Sequence, residues 1–292
     1  MPLNLVVQLR FSSTHRVSTL AMLFDSGSHE TDYRQNPGFP QLPTESHFAQ
    51  ACQDHNKLPT DDVLLKVKEK IEEHIPQLGL LLKQFKVENL FAVSVLHRHF
   101  EVRDGFNLVG RTKTLNGRHC YWTRKVANDT LNSSEICAQK LILDERNGWV
   151  PCEFRESSAP DPSQVYPGFF LELSNYLKEH DLTSTFGLEY IVPELYSFHT
   201  LEFRLPNDEL LHVQLVPTEV ASLRANDITV TTVWRFSDQG FSENFCIPDE
   251  NKTHPDPPSK PEKSRSRSQE PQISIDSLFG DQYPWIRKVV EA

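Results

Sequence analysis

From residue 90 onward the apolar residues of this chain recur at every second position, in one short segment after another. Runs at 90–102, 106–114, 118–126, 148–155, 186–192, 197–205, 209–216 and 227–237 alternate apolar with polar side chains. That is the period of a β-strand, whose neighbouring side chains point to opposite faces. The pairs Asp104-Gly105, Asn116-Gly117, Asn147-Gly148 and Asn207-Asp208 fall between runs, where hairpin turns belong. Helical spacing is confined to two places. In 61–85, Leu64, Val67, Ile71 and Ile75 form one stripe, Thr60 stands at the cap position, and Asp61 and Asp62 favour the positive end of the helix dipole. Pro76 is expected to end or kink this helix. In 168–180, Phe170, Leu173 and Leu177 lie along one face. Strands in a block, with helices grouped rather than alternating, predict an α+β fold. Its form would be one curved, mostly antiparallel sheet covered by the 61–85 and 168–180 helices.

Composition divides the 292 residues further. Residues 1–58 read as an N-terminal strand followed by a long loop or arm, because 25–58 is rich in Ser, Pro, Gln, Asn and His. Residues 59–248 carry the periodic segments and make the domain. The stretch 249–272, "DENKTHPDPPSKPEKSRSRSQEPQ", holds almost no apolar side chain and cannot repay the entropy of ordering, so the C-terminal tail is expected to be disordered there. Residues 273–292 regain apolar character and read as a short amphipathic segment.

Several function classes are excluded early. The net charge of −10 and pI near 5.6 oppose binding to phosphate backbones or anionic membranes. No run of about 18 apolar residues is present to span a bilayer, and the N-terminus has no basic leader, so a cytoplasmic protein is expected. The five cysteines are odd in number, widely spaced and without a C-x-x-C pair, which argues against a disulfide framework. "GFNLVGRT" (105–112) has Arg111 where a phosphate loop needs Lys and runs on into "KTLNGRHCYW" instead of a helix, so nucleotide binding is rejected. No cofactor is expected, and the partner is expected to be a small molecule.

The segment "LFAVSVLHRHFEV" (90–102) concentrates the chemistry. If it is one strand, Phe91, Val93 and Val95 face a core and His97, His99 and Glu101 line its rim. Imidazoles at such a rim serve as proton donor or acceptor near neutral pH. His199 adds a third, in "SFHTLEFRL". Glu101 or Glu153 would orient the histidines, Arg98 or Arg155 would polarise a carbonyl, and Trp122, Glu202 and Trp234 would help bind substrate. The function expected from this set is a cofactor-independent cyclase, isomerase or lyase that works by acid–base and positioning chemistry on an apolar small molecule. Two alternatives stand beside it. One is a non-catalytic binding protein. The other is a metal-dependent enzyme using the H-x-H pair, since two imidazoles two residues apart on a strand can share one ion.

Taken together, "VLHRHFEVRDGFNLV" and "NGWVPCEFRE" resemble a family of fungal proteins of uncharacterised activity. The shared pattern is a Leu-His-x-His segment, an acidic-Gly turn, a Gly-x-x-Pro-x-Glu-Phe segment, a Gly-Leu strand, a Glu-Phe strand and a late Trp. Here these are Leu96, His97 and His99; Asp104 and Gly105; Gly148, Pro151, Glu153 and Phe154; Gly187 and Leu188; Glu202 and Phe203; and Trp234. The resemblance spans about residues 85–255 and rests on motif order. It implies a tailoring role in specialised metabolism, because some family genes neighbour biosynthetic clusters. Phe100 stands where members often have Cys, and Cys246 is single where many have two, which counts against a metal site built from those thiols.

Overall fold

β1 (Phe91–Val95) is hydrogen-bonded on both edges. It runs antiparallel to β6 (Phe186–Tyr190), with Phe91 opposite Tyr190 and Val95 opposite Phe186, and antiparallel to β9 (Val230–Ser237), with Val93 opposite Trp234. From β6 the ladder continues through β4 (Ile136–Asp144), β5 (Gly148–Glu156), β2 (Phe106–Leu115), β3 (Arg118–Ala127), β8 (Glu209–Gln214), β7 (Thr200–Leu205) and β10 (Gly240–Cys246), and so back to β9. The ten strands therefore form a closed barrel. The computed structural model describes residues 43–247, except residue 116 and the stretches 158–167, 206–207, 227–228 and 238–239. These residues belong to one compact unit, Tyr33–Ala292. The expected features at 1–42, 249–272 and 273–292 lie outside the described residues.

The closed barrel corrects the expectation of a curved sheet covered by two helices. Strand period reveals faces, but it does not reveal which strands meet. The ring is closed by β1 pairing with β6 and β9, which lie far along the chain, and by two parallel contacts, β2 with β5 and β7 with β10. The expected turns at left-handed Gly117, Gly148 and Asp208 fall where paired strands reverse, whereas left-handed Gly105 only leads into β2, which does not pair with β1.

Among the described residues four α-helices accompany the barrel: α1 (Glu45–Lys57), α2 (Lys68–Gln84), α3 (Phe169–Glu179) and α4 (Pro217–Asn226). α1 falls inside the expected loop arm. Its signal is a capping box, in which the Thr44 hydroxyl accepts from the His47 amide while His47 Nδ1 accepts from the Thr44 amide. The expected 61–85 helix divides into a 3-10 turn at Asp61–Val63 and α2, and α2 passes through Pro76 instead of ending there. The 90–102 strand stops at Val95. β4, β10 and α4 had no counterpart in the sequence reading.

The strands are apolar outside and polar inside. Phe91, Val93, Leu141, Leu188 and Trp234 pack against Ile71, Leu78 and Leu82 of α2 and Phe169, Phe170 and Leu173 of α3. Leu201, Phe203, Leu211 and Val213 pack beneath Val220 and Leu223 of α4. Val109 and Phe154 meet Phe48 and Ala51 of α1. Each fully buried Leu or Phe contributes about 1.5–3 kcal/mol, so these helix-covered faces are the hydrophobic core. The alternate residues turn the other way and are also buried, among them Tyr121, Glu153, Arg155, Glu189, Glu202 and Arg235. Among the described residues no helix is long and apolar enough to cross a membrane.

Candidate metal centre

His97 and His99 do not continue the odd face of β1. After Val95 the chain leaves the sheet, and Leu96 donates its amide to Thr185 O (2.8 Å). The Arg98 amide donates to Pro59 O (2.7 Å), the Asp61 amide donates to Arg98 O (3.1 Å), and Arg98 Nε donates to Leu58 O (3.0 Å). The connection between α1 and α2 therefore holds both flanking histidines and brings Asp61 beside His99. β7 supplies Glu202, since Leu201 and Phe203 face α4 and the residue between them points into the barrel, and Cys246 comes from the end of β10.

Four ligand-type groups meet there. His99 Nε2 lies 2.7 Å from Glu202 Oε1 and 3.7 Å from Cys246 Sγ, and His97 Nε2 lies 3.9 Å from Glu202 Oε2. One donor atom from each of His97, His99, Glu202 and Cys246 lies within 4.8 Å of the others. All four residues are at least nine-tenths buried. The remaining ring nitrogens are also held: His99 Nδ1 is 2.7 Å from Asp61 Oδ2, and His97 Nδ1 is 3.0 Å from Val95 O. A carboxylate on one ring and a backbone carbonyl on the other are the partners that fix metal-binding imidazoles with Nε2 forward. Asn244 Nδ2 donates to Glu202 Oε2 (3.2 Å) and steadies the carboxylate.

Charge within the cluster is set by burial and by neighbours. Burial lowers the His99 pKa, but the Cys246 sulfur, the Glu202 carboxylate and the bond to Asp61 together hold it well above the usual imidazole range. Burial raises the pKa of Glu202, and His99, with His212 and His97, holds it well below the usual range. His97 is pushed down to about 4, by burial first, against the opposing pull of Glu202. Without an ion, the proton on His99 is the positive charge between these acids.

A second polar group lies beside the first in the barrel. Lys140 Nζ donates to Glu153 Oε1 (3.1 Å), and His55 Nδ1 of α1 is 3.7 Å from the same oxygen. Lys140 also faces Glu189 and Glu202, so it links this group to the histidine cluster. Burial raises the pKa of Glu153, but Lys140, helped by His55, holds it at about 2, compared with 4.5 for the free group. A carboxylate with a depressed folded pKa contributes stability that is present above the unfolded value and lost as pH falls through the folded one. Stability should therefore fall between pH 4.5 and pH 2, by about 3 kcal/mol in all. Lys140, whose pKa is raised, keeps the pair intact on the alkaline side. Urea unfolding at stepped pH checks this. Glu153→Gln should flatten the acid slope, and equal slopes in the two proteins would refute the assignment.

The structure separates the other expected site residues. Glu101 is exposed, 3.4 Å from Arg98 Nη2, and is not part of the cluster. His199 lies just before β7, stacked on Phe245 and 3.6 Å from Glu243, and burial lowers its pKa. Arg155 points inward, and its Nη1 donates to Ile191 O (2.9 Å). Trp122 is on the outer face, where its Nε1 donates to Glu209 (3.0 Å) and the Lys113 ammonium stands 4.0 Å from its ring centre. Trp234 lines an outer groove of about 230 Å³ with Ile71 and Phe245. Thus His97, His99 and Glu202 come together. Glu153 is joined to them through Lys140, and Glu101, His199, Trp122 and Trp234 are elsewhere. Sequence reasoning assigned no site role to Asp61, Cys246 or Lys140. Asp61 was hidden by its position at a helix start, and Cys246 by lying in a strand that was not foreseen.

Compared with protein-family models, curated protein sequences and solved structures, the chain matches none of them.

Proposed function

We propose that this chain is a metal-dependent enzyme. His97 Nε2, His99 Nε2, a Glu202 oxygen and Cys246 Sγ would hold one zinc-class ion at an end of the barrel, and the substrate is a small polar molecule. The observation that carries the reading is the convergence of two imidazole Nε2 atoms, whose other nitrogens are already engaged, on a carboxylate and a thiol. Imidazole and thiolate donors suit zinc over magnesium or calcium. A bound ion would supply Lewis acidity or an activated water. Lys140 and Glu153, which face the same interior, would orient the substrate and move its proton. A polar substrate, unlike the apolar one expected from sequence, suits an interior lined by Lys140, Glu153, Glu189 and Arg155. The acidic chain favours a small molecule over nucleic acid, and we assign it to the cytoplasm.

One observation favours a second reading, a structural ion. Four buried protein donors would fill all four positions of a structural zinc site, whereas catalytic zinc keeps one position open. Elemental analysis tests the shared premise. One equivalent of zinc per chain is expected in wild type and none in His99→Ala, and a wild-type protein without stoichiometric metal refutes both readings. Cobalt substitution then separates them. A spectrum that shifts on adding azide marks an open, catalytic position, and an unchanged one marks a closed, structural site.

A further inference from the structure

At the end of the barrel opposite His97 and His99, the chain leaving β6 crosses from Ile191 towards β7. The antiparallel register of β1 and β6 sets the two ends apart, since Val95 pairs with Phe186 and Phe91 with Tyr190. Inward side chains meet this crossing segment. Gln139 Nε2 donates to Tyr190 O (2.8 Å), and Tyr121 packs on Val192 and Leu195. Arg235 pairs in register with Ser242, whose hydroxyl donates to Tyr196 O (2.7 Å). Three atoms of this group have no hydrogen-bond partner among the described residues: Tyr121 Oη, Gln139 Oε1 and Arg235 Nη1. Their residues are 5%, 1% and 3% exposed. Buried polar atoms are almost always satisfied, and an unsatisfied one is costly. Three beneath one segment point to a shared partner. The site is also built, because Tyr121 needs Gly110 beside it: a Cβ there would come 2.1 Å from Tyr121 Oη.

We propose that Arg235, Tyr121 and Gln139 form a second ligand site, beneath residues 191–196, that takes a small 2-hydroxycarboxylate. Arg235 Nη1 only donates, so it calls for an anionic oxygen. Tyr121 Oη donates to the same carboxylate. Gln139 Oε1 only accepts, so the ligand must also carry a donor such as a hydroxyl. Charges of both signs surround the three atoms, since Arg155, Glu189 and Glu153 face Tyr121 and Glu189 also faces Arg235. Two guanidinium groups against two carboxylates leave the surroundings near neutral, so a monoanion adds less uncompensated charge than a dianion such as phosphate. None of the three residues is among the four that would hold the ion, although the Tyr121 ring lies 5.9 Å from that of His212, which also faces Glu202.

The test is a glycolate titration of the full chain, read as thermal midpoint and as line broadening of carbon-labelled glycolate. The protein is first stripped with a chelator, because hydroxycarboxylates also bind transition ions. A saturable response is expected in the stripped protein. It should be about tenfold weaker with acetate, which lacks the hydroxyl, and about tenfold weaker in Tyr121→Phe, which loses one hydrogen bond. Should that variant not fold, Gln139→Leu, which removes the acceptor, should show the same loss for glycolate. A response confined to metal-loaded protein assigns glycolate to the ion and overturns the proposal. A stronger response to inorganic phosphate overturns the choice of ligand. The absence of any saturable response in wild type means that the three atoms hold water only, and overturns the site.

Discussion

Stripping the protein with a chelator is expected to lower its thermal midpoint by about 10 °C. The size follows from linkage. An ion present at about a thousand times its dissociation constant stabilises the folded state by about 4 kcal/mol, and in a domain of this length each kcal/mol moves the midpoint by about 2–4 °C. The variants should separate metal binding from simple burial. His99→Ala removes a ligand and the cation between Asp61 and Glu202, which lie on either side of its ring. It should therefore be less stable than wild type even when both are stripped, by about 3–5 kcal/mol, because two buried carboxylates lose their partner. Asp61→Asn keeps the size of the side chain and loosens only the orientation of His99. Metal affinity should fall about 10–100-fold, while most of the stability lost in His99→Ala remains. Calorimetry with and without chelator, together with zinc titration, checks the pattern. If the midpoint of wild type is unmoved by the chelator, the cluster is a proton-bridged network and no metal site.

The alternation of apolar and polar residues was legible in sequence, and it placed most of the strands. What the period could not tell was which face is the core. Leu141 beside Lys140, Leu188 beside Glu189, and Leu201 beside Glu202 are the same signal in a sheet with a dry concave face and in a barrel with a wet interior. The helices α1, α2, α3 and α4 decide it, by covering the outer face. α1 was missed because its sequence, ESHFAQACQDHNK, is polar and flanked by loop-forming residues. α4 was missed because Pro217 reads as a breaker, although proline is favoured at the start of a helix.

The candidate site was half legible. His97 and His99 stand out as an H-x-H pair, and Glu202 was expected only to help bind substrate, without its inward position. Yet the premise that joined the histidines to Phe91, Val93 and Val95 fails, because the chain leaves the sheet after Val95. Phe91, Val93 and Val95 pack with α2 and α3, while both imidazoles turn to Glu202. Asp61 and Cys246 reach His99 from segments far away in sequence, and no local pattern encodes such a meeting. A single cysteine and an aspartate at a helix start each have a commoner explanation, and only the closed ring of strands brings them together.

Gly187→Ala is expected to be among the most damaging single-atom additions to this fold, costing about 3 kcal/mol or more. Gly187 lies in β6, the strand that joins β1 to β4, and a Cβ there would come 2.5 Å from Leu141 O and 2.6 Å from Leu96 Cδ2. Leu141 O belongs to the backbone of the neighbouring strand and cannot rotate away. Relief would require β6 to move off β4, and that contact is part of the closure of the ring. Gly110→Ala offers the useful contrast. Its Cβ would meet the ring end of Tyr121, a side chain and not a strand backbone, which can shift only by disturbing Val192 and Leu195, so a smaller cost of about 1–2 kcal/mol is expected. Leu96 immediately precedes His97, so the Gly187 variant should also displace the histidine segment and weaken zinc uptake, whereas Gly110→Ala should leave uptake unchanged. Denaturant unfolding of both variants, with zinc titration of each, tests the pair. Equal stabilities would mean that the β4–β6 edge is loose enough to yield, and that closure of the barrel contributes little to holding His97 and His99 in place.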